Sequence, residues 1–321
     1  FARVRARNAP DAVFSAYSAE LNIFTFANVP TGLAVSSVSL TSATLAWSAA
    51  GNPNNTTYEV SFSTDGFLTH ASTPVAFAAG LTDTTTGLLG LTPGTTYTFR
   101  VRAQNGNAIA TPFSSAVTTP TLPSPLTNLV GAALGVSSAA WTWDSSGSAA
   151  RYRVTSASAG ALLADLAATS FTYVGASTNS AVGIRVQPYT ETAFGALSAA
   201  STVFTLAADP AGFAAVSQGT EAIALSWGAA GNPPSTRYEV SLSTVGFPFS
   251  VSTPIALGAG FTATATTYVG LAAGTTHHWR LRAFNGDGLA TEFSSASTQT
   301  LPGTLTTPVP TALGVSSISW T

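Results

Sequence analysis

A chain of 321 residues with 28 glycines and 18 prolines is too long for one small β-domain and suits three or four. Only 7% of its residues are charged, all 11 basic ones are arginine, and a net charge of -2 offers no basic stripe for a phosphate backbone, which argues against nucleic-acid binding. The absence of cysteine removes disulfides, thiolate catalysis and zinc-thiolate sites together, and the longest uncharged run, Ala103 to Trp143, is broken too often by Gly, Pro, Asn, Ser and Thr to be a membrane-spanning helix of about 20 residues.

The first residues, F-A-R-V-R-A-R-N, alternate like the tail of a strand, and F-T-F-A at Phe24 returns later as F-T-L-A at Phe204. Residues 1–29 therefore read as the last two strands of a module. Pro30 and Leu33 open the next one, A-T-L-A-W supplies a strand with Leu45 and Trp47 inward, and G-N-P makes a turn. T-Y-E-V-S-F-S follows with Tyr58, Val60 and Phe62 inward, then a short strand at Leu88 to Leu91. From Leu91 the chain turns at Pro93-Gly94 and alternates strictly, with Tyr97, Phe99, Val101 and Ala103 on one face and Thr98, Arg100 and Arg102 on the other. With F-S-S-A-V-T-T this makes seven short strands separated by turns, the pattern of a β-sandwich over 30–120.

The same signals return. Trp47 matches Trp227, Tyr58 matches Tyr238 and Arg100 matches Arg280, each pair 180 positions apart (227 minus 47, and so on). That period is twice the length of a sandwich of about 100 residues, so the unit is a pair of unlike modules, a and b. Module a occupies 30–120 and 209–300. Module b occupies 121–208, with Trp141 and Trp143 at the places of Leu45 and Trp47. Residues 301–321 restart b with its first two strands. An array that continues beyond both ends is expected, in preference to subunits completing one another by strand addition.

The P-x-x-L opening, the inward Trp47 and Trp227, and the L-x-P-x-T-x-Y-x-F-x-V-x-A-x-N corner from Leu91 resemble the fibronectin type III family, specifically in the two a modules and loosely in b. The resemblance implies an all-β fold of tandem immunoglobulin-like sandwiches, each with sheets of three and four strands. It also implies roles as spacer, adhesive or scaffolding modules, as in large bacterial surface and secreted repeat proteins. It puts a tyrosine-corner hydrogen bond at Tyr97; His277 takes that place in the second a module, and alignment puts Ser180 there in b.

Candidate chemistry is sparse. His277 and His278 are adjacent on a strand and point to opposite faces, so they cannot share a metal, and His70 has Ser250 as its repeat-mate. With scattered carboxylates, no Ser-His-Asp arrangement forms. N-G-D-G at Asn285 to Gly288 reads as a hairpin turn rather than a calcium loop. Asn54 and Asn55 begin overlapping N-x-T sequons in a turn, which can carry glycans or serve simply as turn residues. Glu59 is expected to face outward beside Arg100 or Arg102, and Glu239 beside Arg280 or Arg282, in exposed pairs worth about 0.2 to 1 kcal/mol. In b, Arg151, Arg153 and Arg185 gather with no partner expected in their own sheet. That face is either solvated or a docking surface.

A mean hydropathy of +0.31 with so little charge predicts weak repulsion between copies. The expectation is a non-catalytic extracellular or cell-surface structural protein without cofactor or metal, self-assembling into a filament, sheath or fibre. The alternatives are the spacer and carbohydrate-binding region of a secreted polysaccharide-degrading enzyme, which an exposed row of Trp or Tyr would favour, and an adhesin stalk.

Overall fold

A computed structural model describes residues 1–9, 13–147, 149, 151–190, 193–305 and 307–320. Strands β1 to β7 are Thr31–Val38, Ser42–Ser48, Thr57–Ser63, Ser72–Val75, Thr85–Leu89, Thr96–Gln104 and Val117–Pro120. Strands β8 to β14 are Val130–Gly135, Ser138–Thr142, Arg151–Ser156, Leu162–Leu166, Ser170–Val174, Ala181–Tyr189 and Ser201–Phe204. Strands β15 to β21 are Ala211–Ser217, Ala222–Gly228, Arg237–Ser243, Ser252–Ile255, Ala265–Val269, Thr276–Phe284 and Ser294–Gln299, and Pro310–Gly314 and Ser317–Trp320 are β22 and β23.

The pairing order repeats with this grouping. The first seven strands form sheets β1-β2-β5 and β4-β3-β6-β7, the next seven β12-β9-β8 and β11-β10-β13-β14, and the third seven β15-β16-β19 and β18-β17-β20-β21. Adding seven to each label converts one pair of sheets into the next, so the fold is a tandem of antiparallel β-sandwiches. The remaining strands pair as a β22-β23 hairpin, and near the start Ala2 bridges Leu21 and Arg7 bridges Phe14.

Two compact units divide the chain. Phe1–Leu129, Trp143–Thr169 and Arg185–Ala199 form one, and Val130–Thr142, Ser170–Ile184 and Ala200–Thr321 form the other. In the first, the inward positions of β2, β3 and β6 supply a core of Leu45, Trp47, Tyr58, Val60, Phe99 and Val101, closed by Leu88 and Leu91. The period-2 alternation drives this: each strand buries every second residue and leaves Ser, Thr or Arg on the other side. In the second unit Ile223, Leu225, Trp227, Tyr238, Val240, Trp279 and Leu281 form the matching core. Five of the six tryptophans are buried; Trp320 is exposed.

One buried threonine recurs where the chain leaves each of the three seven-strand runs. Thr121 Oγ1 donates to Thr92 O at 2.6 Å and accepts from Thr95 N–H at 3.1 Å. Thr205 does the same with Ser177 O (2.8 Å) and Ser180 N–H (3.0 Å), and Thr300 with Ala272 O (2.6 Å) and Thr275 N–H (3.1 Å). Each hydroxyl ties the last strand to the turn that opens β6, β13 or β20.

Candidate functional site

The most constructed feature of the surface is a joint that occurs twice, once in each unit, where an F-T-x-A segment enters an a module. In the second unit Phe204 lies across Gly286: a Cβ built on that glycine would meet Phe204 Cδ1 at 2.4 Å, so only glycine permits the contact. Phe204 N–H donates to Asp287 Oδ2 at 2.8 Å, and Asn285 Nδ2 donates to the carbonyls of Phe204 and Thr205 at 3.2 and 3.3 Å. A little further on, Asn232 pairs with the backbone of Ala208 in both directions, at 2.9 Å for N–H to Oδ1 and 2.8 Å for Nδ2 to O.

The first unit repeats this 180 positions earlier. Phe24 covers Gly106, with a Cβ there 2.6 Å from Phe24 Cε2. Phe24 N–H donates to Asn107 Oδ1 at 2.7 Å, Asn105 Nδ2 donates to Thr25 O at 2.9 Å, and Asn52 pairs with the Asn28 backbone at 2.7 and 2.8 Å. N-G-D-G and N-G-N-A are thus more than turns: their third residues cap the incoming strand. Asparagine suits the task because its amide both donates and accepts, so it satisfies an extended backbone without adding charge.

A second constructed feature lies on the outer face of the four-stranded sheets. The Arg100 guanidinium sits 3.7 Å from the Phe67 ring centroid and 3.8 Å from that of Phe113, while Arg102 lies 4.6 Å from Phe113 and donates to Glu59 Oε1 at 2.7 Å. Burial first, then the Arg102 charge, pull the Arg100 pKa below its ordinary value. Arg280 repeats the stacking on Phe293 (4.1 Å) and Phe247 (4.5 Å), and Arg282 the pairing with Glu239 (2.7 Å). A planar cation between two rings suits arginine at 100 and 280, since an ammonium cannot stack in that way.

Residues 28–120 match the family model of the fibronectin type III domain. The 180-residue self-match and the repeated sheet order carry the same domain along the chain. The chain is a tandem of fibronectin type III modules. Among solved structures it is similar to chicken CNTN1 FN1-FN3 domains, at 15% identity and a TM-score of 0.31 over 84% of this chain and 98% of that one. It is also similar to a two fibronectin type-III domain segment from chicken tenascin, at 18% identity and a TM-score of 0.40 over 56% of this chain and all, 100%, of that one. No curated protein matches the sequence.

The fibronectin type III corner is present where the sequence puts it: Thr92 N–H donates to Tyr97 Oη at 2.9 Å. His277 occupies the same place but forms no such bond; it is buried, and neither ring nitrogen has a hydrogen-bond partner among the described residues. Ser180 does not occupy it. Ser180 N–H bonds Thr205 Oγ1 as Thr95 N–H bonds Thr121 Oγ1, so counting on two residues puts Val182 at the tyrosine position.

The arginines expected to stand unpaired are partnered. Arg151 Nε donates to Asp165 Oδ1 at 2.7 Å and to Tyr189 Oη at 3.1 Å, and its Nη2 reaches Asp165 O at 2.9 Å. The sequence reading overlooked Asp165 because β11 was not assigned; the β10–β11 register sets it directly opposite Arg153, on the same face as Arg151. The Tyr189 hydroxyl and then Arg151 hold the Asp165 carboxyl below the usual carboxylate range. Arg153 lies 5.4 Å from the Phe194 ring centroid and Arg185 Nη1 donates to Ser198 O at 3.3 Å. The Glu59 and Glu239 pairs also differ from expectation: both carboxylates are largely buried, sheltered by the arginine–phenylalanine stacks above them.

Asn54 and Asn55 are exposed, as a sequon requires, but the Thr56 of the first sequon is buried. His70 Nδ1 lies 3.2 Å from Asp65 in a loop where Asp65 also accepts from Ser63 Oγ and Thr69 Oγ1, both at 2.6 Å. Among the described residues no three His, Cys, Asp or Glu side chains gather to hold a metal, and no helix is long and apolar enough to cross a membrane.

Proposed function

We propose that the chain is a non-catalytic extracellular spacer: a tandem of fibronectin type III modules, at 30–120, 121–208 and 209–300, that associates with copies of itself in a surface filament, sheath or fibre. Tandem fibronectin type III modules point to a structural, spacer or adhesion role in general. The observation that carries the finer reading is the twice-built joint. A flexible bead string needs no glycine reserved for an aromatic ring and no three asparagine-type clamps at each entry, whereas a spacer that must hold its direction does.

Self-association is supported by where charge is absent. Leu89, Val174 and Val269, at the same place in β5, β12 and β19, are 81%, 71% and 76% exposed. Their neighbours on the outer faces of the three-stranded sheets are Ala, Ser, Thr, Gly and Val. The docking role of Arg151, Arg153 and Arg185 and the glycans on Asn54 or Asn55 belong to the same proposal as further contacts of a surface array. Electron microscopy of the purified chain tests it: regular filaments or sheets are expected, and dispersed monomers across concentrations up to the solubility limit would remove self-assembly while leaving the spacer reading in place.

A further inference from the structure

Each sandwich has four sheet edges, and an edge is a row of unpaired backbone groups unless something blocks it. Three of the four are blocked in every module. The first and last strands lie beside one another and are laced at their ends: Leu122 N–H donates to Ser39 O, Leu206 N–H to Gly135 O and Leu301 N–H to Gly219 O, each at 3.0 Å. These bonds tie the exits of β7, β14 and β21 to β1, β8 and β15. The third edge, formed by β4, β11 and β18, pairs with a break in register each time and carries Pro74, Asp165 and Pro254. Prolines, bulges and charges are what keep an edge from taking up a further strand.

The fourth edge, β5, β12 and β19, has none of these. T-T-G-L-L, S-F-T-Y-V and A-T-T-Y-V contain neither proline nor charge, and each pairs with its neighbour through five consecutive positions without a break. The phase is also common to all three. Trp143 N–H donates to Thr169 O, as Trp47 N–H does to Thr84 O and Trp227 N–H to Thr264 O, all at 3.0 Å. Alternation then turns the N–H and C=O of Ser170, Thr172 and Val174 away from β9, toward the open side. Among the described residues nothing bonds these groups. Gly87 and Thr267 hold the place of Thr172 in β5 and β19.

We infer that β5, β12 and β19 are pairing edges that join this chain to a second copy, antiparallel and strand against like strand, so that two three-stranded sheets become one continuous sheet. Self-complementarity identifies the occupant. Pairing β12 with its own copy about Thr172 sets Thr172 opposite Thr172 and Ser170 opposite Val174, and each of these residues then both donates and accepts a backbone bond. In β19 the same geometry sets Thr267 opposite Thr267 and Ala265 opposite Val269. A two-fold axis brings a strand up to its own copy, so a charge on it would meet its like, and an edge free of charge is what such pairing needs. An unlike strand selected by sequence would be read through its alternate side chains, whereas the exposed positions here offer only Ser, Thr, Ala, Gly, Val and Leu. The inference rests on the self-association reading above and names the surface that carries it.

Gly87→Pro, Thr172→Pro and Thr267→Pro, combined in the full chain, test it. Each removes an N–H that points away from the sheet, so the internal ladder keeps its bonds. Sedimentation velocity is compared with that of the parent across concentrations. The variant is expected to stay monomeric where the parent associates, with the near-ultraviolet spectrum of the buried tryptophans unchanged. A folded variant that associates within about twofold of the parent's concentration overturns edge pairing and leaves association through the sheet faces standing. Should the prolines unfold a module, amide exchange in the unaltered chain decides. The Thr172 and Thr267 amides should slow about tenfold on association, as one added hydrogen bond would make them, and equal exchange in monomer and assembly refutes the pairing. A parent that stays monomeric throughout removes the self-association reading, and edge pairing with it.

Discussion

Gly286→Ala is the perturbation that most directly asks whether the joint is rigid. The added Cβ would lie 2.4 Å from Phe204 Cδ1 and 2.5 Å from both Cε1 and Cγ, against about 3.5 to 4 Å for an ordinary carbon contact, so the ring must move by about 1 Å. It cannot slide with its backbone, because Phe204 N–H is held by Asp287 and its carbonyl by Asn285. Overpacking of this kind costs about 1 to 3 kcal/mol. Displacing the segment also opens the Gly286 N–H bond to Asn179, worth about 0.5 to 1.5 kcal/mol. The expected loss is therefore about 1.5 to 4.5 kcal/mol in urea unfolding, localised by faster amide exchange at Phe204 and Gly286. Gly106→Ala makes the same collision at 2.6 Å, but Phe24 is 48% exposed and among the described residues no asparagine bonds Gly106, so its ring can swing out. The loss there should be about 1 kcal/mol. If both variants fall within about 0.5 kcal/mol of the parent, or Gly106→Ala is the worse, the joints are not close-packed and the stiffness argument fails.

Thr205→Val removes a hydroxyl that bonds both Ser177 O and Ser180 N–H and should cost about 1 to 3 kcal/mol by chemical denaturation, with Thr205→Ser retaining most of it. Arg100→Lys keeps the charge but loses stacking between Phe67 and Phe113; a fall in stability of about 0.5 to 2 kcal/mol is expected in thermal melts, and a neutral result would mean that charge alone explains the arginines. Tyr268 has a buried hydroxyl without a partner among the described residues, and burial pushes its pKa up to about 12. Tyr268→Phe should leave stability unchanged or raise it by up to about 1 kcal/mol. Because the folded pKa is raised, the tyrosine's share of stability is intact below about pH 10 and is lost as pH climbs toward 12, so the variant should unfold less readily in that window. Asp65 is held well below the usual carboxylate range, chiefly by the Ser63 and then the Thr69 hydroxyl. The stability that this carboxylate lends its loop should be present above about pH 4 and fall away progressively below it, which a carbonyl-detected NMR titration would read.

The sandwich was legible because period-2 alternation is a one-dimensional signal: Tyr97, Phe99, Val101 and Ala103 announce their face whatever they pack against. The pairing of Glu59 with Arg102 was legible for the same reason, since both strands were assigned. Asp165 was not, because A-L-L-A-D-L is a short edge strand without clear alternation and its carboxylate matters only through register. The shelter of Glu59 escaped too, since Phe113 and Phe67 come from loops whose paths no local pattern fixes. The joint left a trace in the sequence that was underused. N-G-D-G and N-G-N-A share an asparagine and a glycine at the same phase of the 180-residue repeat, while their third residues, Asp287 and Asn107, change charge but keep an acceptor oxygen. A turn needs the glycine and tolerates many third residues; retention of the acceptor is what a capping role would predict.

The joint and the low charge have one physical logic. Clamps made of Asn52, Asn105, Asn232 and Asn285 bind uncharged backbone, so salt does not screen them. Five of the arginines are occupied in stacks or carboxylate pairs within their own modules: Arg100, Arg102, Arg280 and Arg282 against phenylalanine, Arg151 on Asp165. Little net charge remains to hold copies apart, and the outer faces of the three-stranded sheets carry none. Clamps of this kind should hold equally well at low and high salt. The self-association proposed above should likewise change little between low and high salt, which distinguishes apolar packing of these faces from an assembly held by ion pairs.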